Sequence, residues 1–134
     1  MKIAVAGMGY VGLSLAVLLA QHNEVVAFDI DERKVDLVAN RKSPICDSKI
    51  EQFLKDNTDL RLSATTDSVL AYRGAQFVVV ATPTDYDSSR GYFDTSSVES
   101  AIWDWDWDCL VLVDRWILGF VPRERKACYA EECL

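Results

Sequence analysis

The chain has 134 residues, half of them hydrophobic and 26% charged, which is the balance of an ordinary globular unit with room for one core. Its net charge of −7 argues against a nucleic-acid partner, because phosphate backbones demand clustered Lys and Arg. No apolar run approaches the ~20 residues of a membrane helix, so no membrane partner is expected either.

In chain order, Ile3-Ala4-Val5-Ala6 is a short apolar run ending at glycine, as a buried parallel strand would be. Gly7-Met8-Gly9-Tyr10-Val11-Gly12 follows, and residues 13–20, rich in Leu and Ala, predict a mostly buried helix. Gln21-His22-Asn23 reads as a turn and residues 24–29 as a second strand, completing a strand–helix–strand unit. Asp31 is placed to cap a helix over residues 32–40. After Ser43-Pro44 a second helical stretch is predicted over residues 49–55, with Ile50, Phe53 and Leu54 at helical spacing. Residues 60–65 predict a short strand, and residues 67–73 a helix that stops at Gly74. The β-branched run in residues 76–81 is the strongest central-strand candidate.

Residues 82–94 read as a polar loop, and Ser96 with Glu99 has capping-box spacing for a further helix. From Trp103 to Asp108 the sequence alternates at period two, which conflicts with that helix. Residues 109–113 predict one more buried strand; from Asp114 to Leu134 the local signals disagree with one another. Strands alternating with helices predict an α/β, Rossmann-like doubly wound and mostly parallel sheet, truncated relative to a full one. The predicted organisation is a dinucleotide-binding domain over 1–102 and a divergent tail over 103–134, with one strand plus irregular structure.

A glycine-rich hexapeptide alone is a weak signal, and its bland reading is a set of turns. Here it follows a strand, opens a helix, and is followed by a second strand that ends in an acid. Gly7 permits the tight turn, Gly9 removes the Cβ that would meet a pyrophosphate, and Gly12 lets helix and strand approach. The amides of Tyr10 and Val11 are then aimed at the phosphates, at the positive end of the helix dipole. Asp29 stands at roughly the twenty-residue distance of a ribose-binding acid. Its carboxylate would accept from the ribose hydroxyls and repel a 2′-phosphate, which favours NAD over NADP; otherwise it is a solvated strand end. Lys34 falls near the same ribose edge, or is merely solvated. Thr82-Pro83-Thr84 ends the strongest strand, where ligands bind in open α/β sheets, although an ordinary strand-to-loop turn fits it equally well. Tyr86, Tyr92 and Phe93 lie in the following loop.

Cys46, Cys109, Cys128 and Cys133 form no C-x-x-C pair and no zinc spacing with His22, the single histidine. No metal site is expected, and free thiols in a reducing compartment are the simpler reading. Cys128 follows Arg125 and Lys126, but His22 lies at the end of the first helix away from the cofactor, a poor place for a general base. Without a signal-peptide pattern, a cytoplasmic location is the default expectation.

Residues 1–14, 25–29, Ser43-Pro44-Ile45, residues 81–87 and Tyr92-Phe93-Asp94-Thr95-Ser96-Ser97-Val98-Glu99 together closely resemble the start of the bacterial UDP-glucose 6-dehydrogenases. The resemblance covers roughly residues 1–102. It implies a Rossmann domain of an enzyme that oxidises the C6 alcohol of UDP-glucose to a carboxylate. Such enzymes use two NAD molecules in succession and a cysteine that holds thiohemiacetal and thioester intermediates. Carried over by position, the cofactor contacts implied are Tyr10, Val11, Asp29, Lys34 and the strand end Thr82, Pro83 and Thr84.

The departures lie further on. Where the family has a Lys-Ser-Thr then Pro-x-Gly-Phe pattern, residues 113–120 stand instead and the threonine is gone. Residues 120–129 form a shortened echo of the family's Pro-Glu-Phe-Leu-Arg-Glu segment, with Glu124 aligned to its second glutamate. The central helical region and second nucleotide-binding domain have no counterpart, and none of the four cysteines inherits the catalytic role. No catalytic residue is therefore assigned. UDP-glucose is a partner only where the missing domains are supplied, and a free sheet edge makes self-association an expectation. A stand-alone dinucleotide-binding module without turnover, or a piece of another nucleotide-sugar dehydrogenase, remains an alternative.

Overall fold

The computed structural model describes residues 1–57, 59–82, 85–87, 92–94, 96–103, 109–113 and 120–121, with the backbone alone for 85–87, 92–93, 102–103, 109–113 and 120–121. Its elements, in chain order, are β1 (Lys2–Ala6), α1 (Tyr10–Ala20), β2 (Glu24–Phe28), α2 (Glu32–Ala39), α3 (Ser48–Asp56), β3 (Leu62–Thr65), α4 (Ser68–Tyr72), β4 (Phe77–Val80), β5 (Asp85–Asp87), β6 (Tyr92–Asp94), α5 (Ser96–Trp103), β7 (Cys109–Val113) and β8 (Phe120–Val121). The main sheet runs β3-β2-β1-β4-β7-β8. Its first five strands are parallel, and β8 closes the far edge antiparallel to β7. The order reverses between β1 and β4, so that helices fall on both faces and a crevice opens at the carboxyl ends of these two strands.

Strand periodicity divides the core. Ile3, Val5, Val25, Ala27 and Val79 face one side, where they pack with Leu13, Ala16 and Val17 of α1, Val38 of α2 and Leu54 of α3. Ala4, Ala6, Val26, Val78 and Val80 face the other, against Ala71 and Tyr72 of α4 and Val98 and Ala101 of α5. Central strands covered on both faces have no use for alternating polarity, which is why β1 after Lys2 and the whole of β4 are written as unbroken apolar runs.

The helices begin where short acids accept first-turn amides. Asp31 takes the Arg33 N–H, Asp47 those of Lys49 and Ile50, and Asp67 that of Leu70. Gly74, at φ +71, lies just past α4 in the left-handed conformation that ends many helices. Lys2 adds a cap from the sheet, donating through Nζ to the carbonyl of Arg73.

Three expectations are corrected. α1 begins at Tyr10, three residues before the apolar run that announced it. The loop expected over 82–94 contains an antiparallel pair, β5 with β6, in the register Tyr86 to Phe93; each strand has only three residues and ends in aspartate, which masks its alternation. Ser96 is the first helical residue of α5 rather than its cap. Its N–H donates to the Asp94 carboxylate at 2.9 Å, so the acid two residues earlier does the capping. The helix then runs through Trp103 despite the period-two pattern. The strand expected over 109–113 is β7, which pairs with β4 within the same sheet.

Candidate functional site

The carboxyl ends of β1, β2 and β4 meet at the glycine turn. Gly7 leaves β1 at φ +95, and its N–H donates to the Phe28 carbonyl at 2.8 Å, tying the turn to β2. A Cβ on Gly7 would lie 2.6 Å from the Ala81 carbonyl oxygen, just beyond β4. A Cβ on Gly12 would overlap the Gly7 carbonyl oxygen and press on the Ala81 side chain at 3.2 Å. Both residues are glycine because this chain's own backbone fills the space. Gly9 differs: a Cβ there would meet nothing within 4 Å. Its φ of −81° and ψ of −167° are open to any residue, so nothing in the protein itself requires glycine.

Gly9 is also the N-cap of α1, and no side chain caps the helix or places an acid in its first turn. Leu13 N–H bonds back to the Gly9 carbonyl at 2.9 Å, which leaves the amides of Tyr10, Val11 and Gly12 without an intrahelical acceptor. Tyr10 and Val11 are exposed at this corner. The Tyr10 hydroxyl donates to the Cys46 carbonyl at 3.2 Å, which holds the segment before α3 beside the start of α1.

Asp29 is buried, at 7% exposure, and is therefore no solvated strand end. Its Oδ2 accepts the Met8 N–H at 2.7 Å and the Lys34 ammonium at 3.1 Å, and its Oδ1 accepts the Asp31 N–H at 3.0 Å. Lys34 is thus brought to the same carboxylate, as its place in the first turn of α2 allows. A carboxylate has about four acceptor positions, so one, on Oδ1, is left for a ligand hydroxyl. Ile30, 87% exposed, stands next to it. Asp31 is held below the usual carboxylate range, chiefly by the Arg33 N–H that it accepts.

Thr82 sits beside the glycine turn, its N atom 3.2 Å from where a Gly7 Cβ would be. Its Oγ1 is buried and has no hydrogen-bond partner, as a hydroxyl waiting for a ligand would be. Pro83 and Thr84 lie outside the described residues, as do Glu124, Arg125, Lys126, Cys128 and Cys133. His22 lines a shallow cleft with Gln21, Asn57, Asp59 and Leu60 at the amino-terminal end of the strands, across the sheet from the glycine turn. Among the described residues no three His, Cys, Asp or Glu side chains gather as a metal site would need, and no helix is long and apolar enough to cross a membrane.

The Met8 to Asp29 bond and the Tyr10 to Cys46 bond are the contacts that sequence reasoning missed. Each has a backbone atom as one partner, and a backbone atom leaves no mark in the sequence.

Residues 1–105 match the UDP-glucose/GDP-mannose dehydrogenase family, NAD binding domain. The UDP-glucose 6-dehydrogenase of Streptococcus pneumoniae is 54% identical over 102 residues, covering 76% of this chain and 26% of that protein. That of Campylobacter jejuni is 48% identical over 106 residues, covering 78% of this chain and 27% of that one. Among solved structures, a GDP-mannose dehydrogenase from Pseudomonas aeruginosa superposes with a TM-score of 0.72 at 30% identity, over 84% of this chain and 28% of that one. The chain therefore spans about a quarter of the length of these relatives. It belongs to the UDP-glucose/GDP-mannose dehydrogenase family, of which residues 1–105 are the NAD binding domain.

Proposed function

We propose that this chain holds NAD for a UDP-glucose 6-dehydrogenase and does not itself complete the reaction. The observation that carries the reading is the contrast among the three glycines. Gly7 and Gly12 are closed by this chain's own backbone, whereas Gly9 faces open space beside the unsatisfied amides of Tyr10 and Val11. That combination suits a pyrophosphate, which needs close backbone approach and amide donors. Asp29 would take a ribose hydroxyl on its remaining Oδ1 position and exclude a 2′-phosphate. Lys34 would steady that carboxylate, and the Thr82 hydroxyl would gain the partner it lacks. Pro83 and Thr84, which follow Thr82 in the sequence, are assigned to the cofactor in this reading from sequence position alone. NAD, when bound, supplies a hydride acceptor; these residues bind and orient it.

UDP-glucose is favoured over GDP-mannose as the parent enzyme's substrate, because identity is 54% to the Streptococcus pneumoniae protein and 37% to the GDP-mannose 6-dehydrogenase of Pseudomonas aeruginosa. We keep 1–102 as the cofactor unit and 103–134 as a divergent tail that lends β7 to its sheet. We place the chain in the cytoplasm with its cofactor. Self-association is expected through the sheet edge left by truncation.

The test is a calorimetric titration of the purified chain with NAD and with NADP, followed by an assay for NADH from UDP-glucose. Saturable NAD binding, at least tenfold weaker NADP binding, and no turnover are expected. Failure to bind either dinucleotide would remove the reading, and robust NADH production would overturn the assignment of catalysis to missing parts.

A further inference from the structure

We propose that Asp29 is a positioning residue for the phosphate end of the site as well as a ribose acceptor, because its carboxylate clamps the middle of the glycine turn. The inference rests on the dinucleotide reading above. Residues 7–9 carry glycine at both ends, so this backbone has more freedom to lose than any other part of the first crossover. Its ends are tied, Gly7 by its N–H to Phe28 and Gly9 by its carbonyl to the Leu13 N–H. At the centre the Met8 N–H donates to Asp29 Oδ2 at 2.7 Å, and the Met8 side chain is wholly buried. A buried N–H with a single charged acceptor holds its place strongly, and loses its partner outright if the acceptor goes.

The same carboxylate is fixed from two further directions. Lys34 Nζ meets Oδ2 at 3.1 Å, and the Asp31 N–H meets Oδ1 at 3.0 Å. The glycine turn, the end of β2 and the start of α2 are therefore joined through one side chain. Removing it frees the Gly7–Met8 peptide plane at the centre of the turn, and with it the direction of the Tyr10 and Val11 amides. The ribose and phosphate ends of the dinucleotide, read separately in sequence, would then depend on one residue.

The two roles separate with a ligand that has no ribose hydroxyls. ADP and 2′,3′-dideoxy-ADP are titrated calorimetrically into the wild-type chain, Asp29→Ala and Asp29→Asn. Exchange of the Met8 amide hydrogen is followed by NMR in each. Asp29→Asn retains a carbonyl oxygen for the Met8 N–H. The expected result is dideoxy-ADP binding at least tenfold weaker in Asp29→Ala and largely restored in Asp29→Asn. Met8 exchange should be slow in the wild type and the Asn variant and fast in the Ala variant. If Asp29→Ala weakens ADP and leaves dideoxy-ADP unchanged, the carboxylate serves the ribose alone and the proposal falls. Rapid Met8 exchange in the folded wild-type chain overturns it too, whether or not the Ala variant folds. Failure of the wild type to bind ADP would instead remove the dinucleotide reading on which it rests.

Discussion

Replacing each glycine of the turn with alanine separates what the fold requires from what the ligand requires. At Gly12 the new methyl would overlap the Gly7 carbonyl oxygen, and at Gly7 it would sit 2.6 Å from the Ala81 carbonyl oxygen, with φ at +95. In both cases the obstacle is backbone, which cannot turn aside as a flexible side chain can. Overpacking costs about 1–3 kcal/mol, and the positive φ at Gly7 adds roughly 1–3 kcal/mol more. These are large fractions of the ~5–15 kcal/mol that holds a domain folded. At Gly9 the methyl meets nothing within 4 Å. The loss of unfolded-state freedom favours alanine by about 0.4–1 kcal/mol, and the poorer N-cap offsets most of it, so stability should hold within about 0.5 kcal/mol. NAD affinity should not hold. Losing a single charge-assisted amide–phosphate bond costs about 1.5–3 kcal/mol, or roughly 10- to 150-fold in Kd. Urea unfolding and calorimetric titration of Gly9→Ala beside the wild type read both quantities. A Gly9→Ala chain of native stability that binds NAD as well as the wild type would refute the placement of the pyrophosphate over Gly9.

Asp47→Ala removes the acceptor for the Lys49 and Ile50 amides at the start of α3 and should lower stability by about 1 kcal/mol, seen as a lower urea midpoint with an unchanged slope. Leu54→Ala, at 1% exposure in the core under α1, should cost about 2–5 kcal/mol and leave little folded chain on warming. Lys34→Met should lower stability by about 1 kcal/mol, because it takes the cation from an Asp29 carboxylate that is 8% exposed while the Lys34 side chain itself is 36% exposed and screened, and should weaken NAD binding; equal affinity in both chains would remove Lys34 from the site. Asp31 is depressed by the Arg33 N–H, so its contribution to α2 is complete above the unfolded carboxylate value and is lost as pH falls through the lower folded value. Asp31→Asn, which caps without titrating, should flatten this acid limb in a comparison of urea midpoints between pH 5 and 3.

Much of the fold was legible because its covered strands and capped helices write themselves in side chains. Residues 3–6 and 77–81 announced central strands by being apolar throughout, and Asp31 announced α2 by standing before its first turn. The hairpin of β5 and β6 was hidden because each strand has three residues and ends in aspartate, so charge outweighed alternation. The helix through Trp103 was hidden for the opposite reason, since a period-two pattern stood where the chain continues a helix from Ser96. The strand order was a different matter. That β1 lies between β2 and β4 is settled by long-range pairing, which the right-handed crossover rule narrows without deciding.

The site shows the same division at finer grain. Three glycines are one letter in the sequence, yet the structure assigns them two kinds of constraint, two internal and one facing outward. Asp29 was found by its spacing, and its bond to Met8 was not, because a backbone amide has no letter of its own. It follows that a scan of stability alone would mark Gly7, Gly12 and Asp29 as structural and pass over Gly9 and Thr82. A scan of affinity alone would mark all five and separate none. Only the two measurements together distinguish residues that build the cradle, Gly7, Gly12 and Asp29, from residues that leave room in it, and of those three Asp29 is the one whose side chain is also expected to touch the ligand.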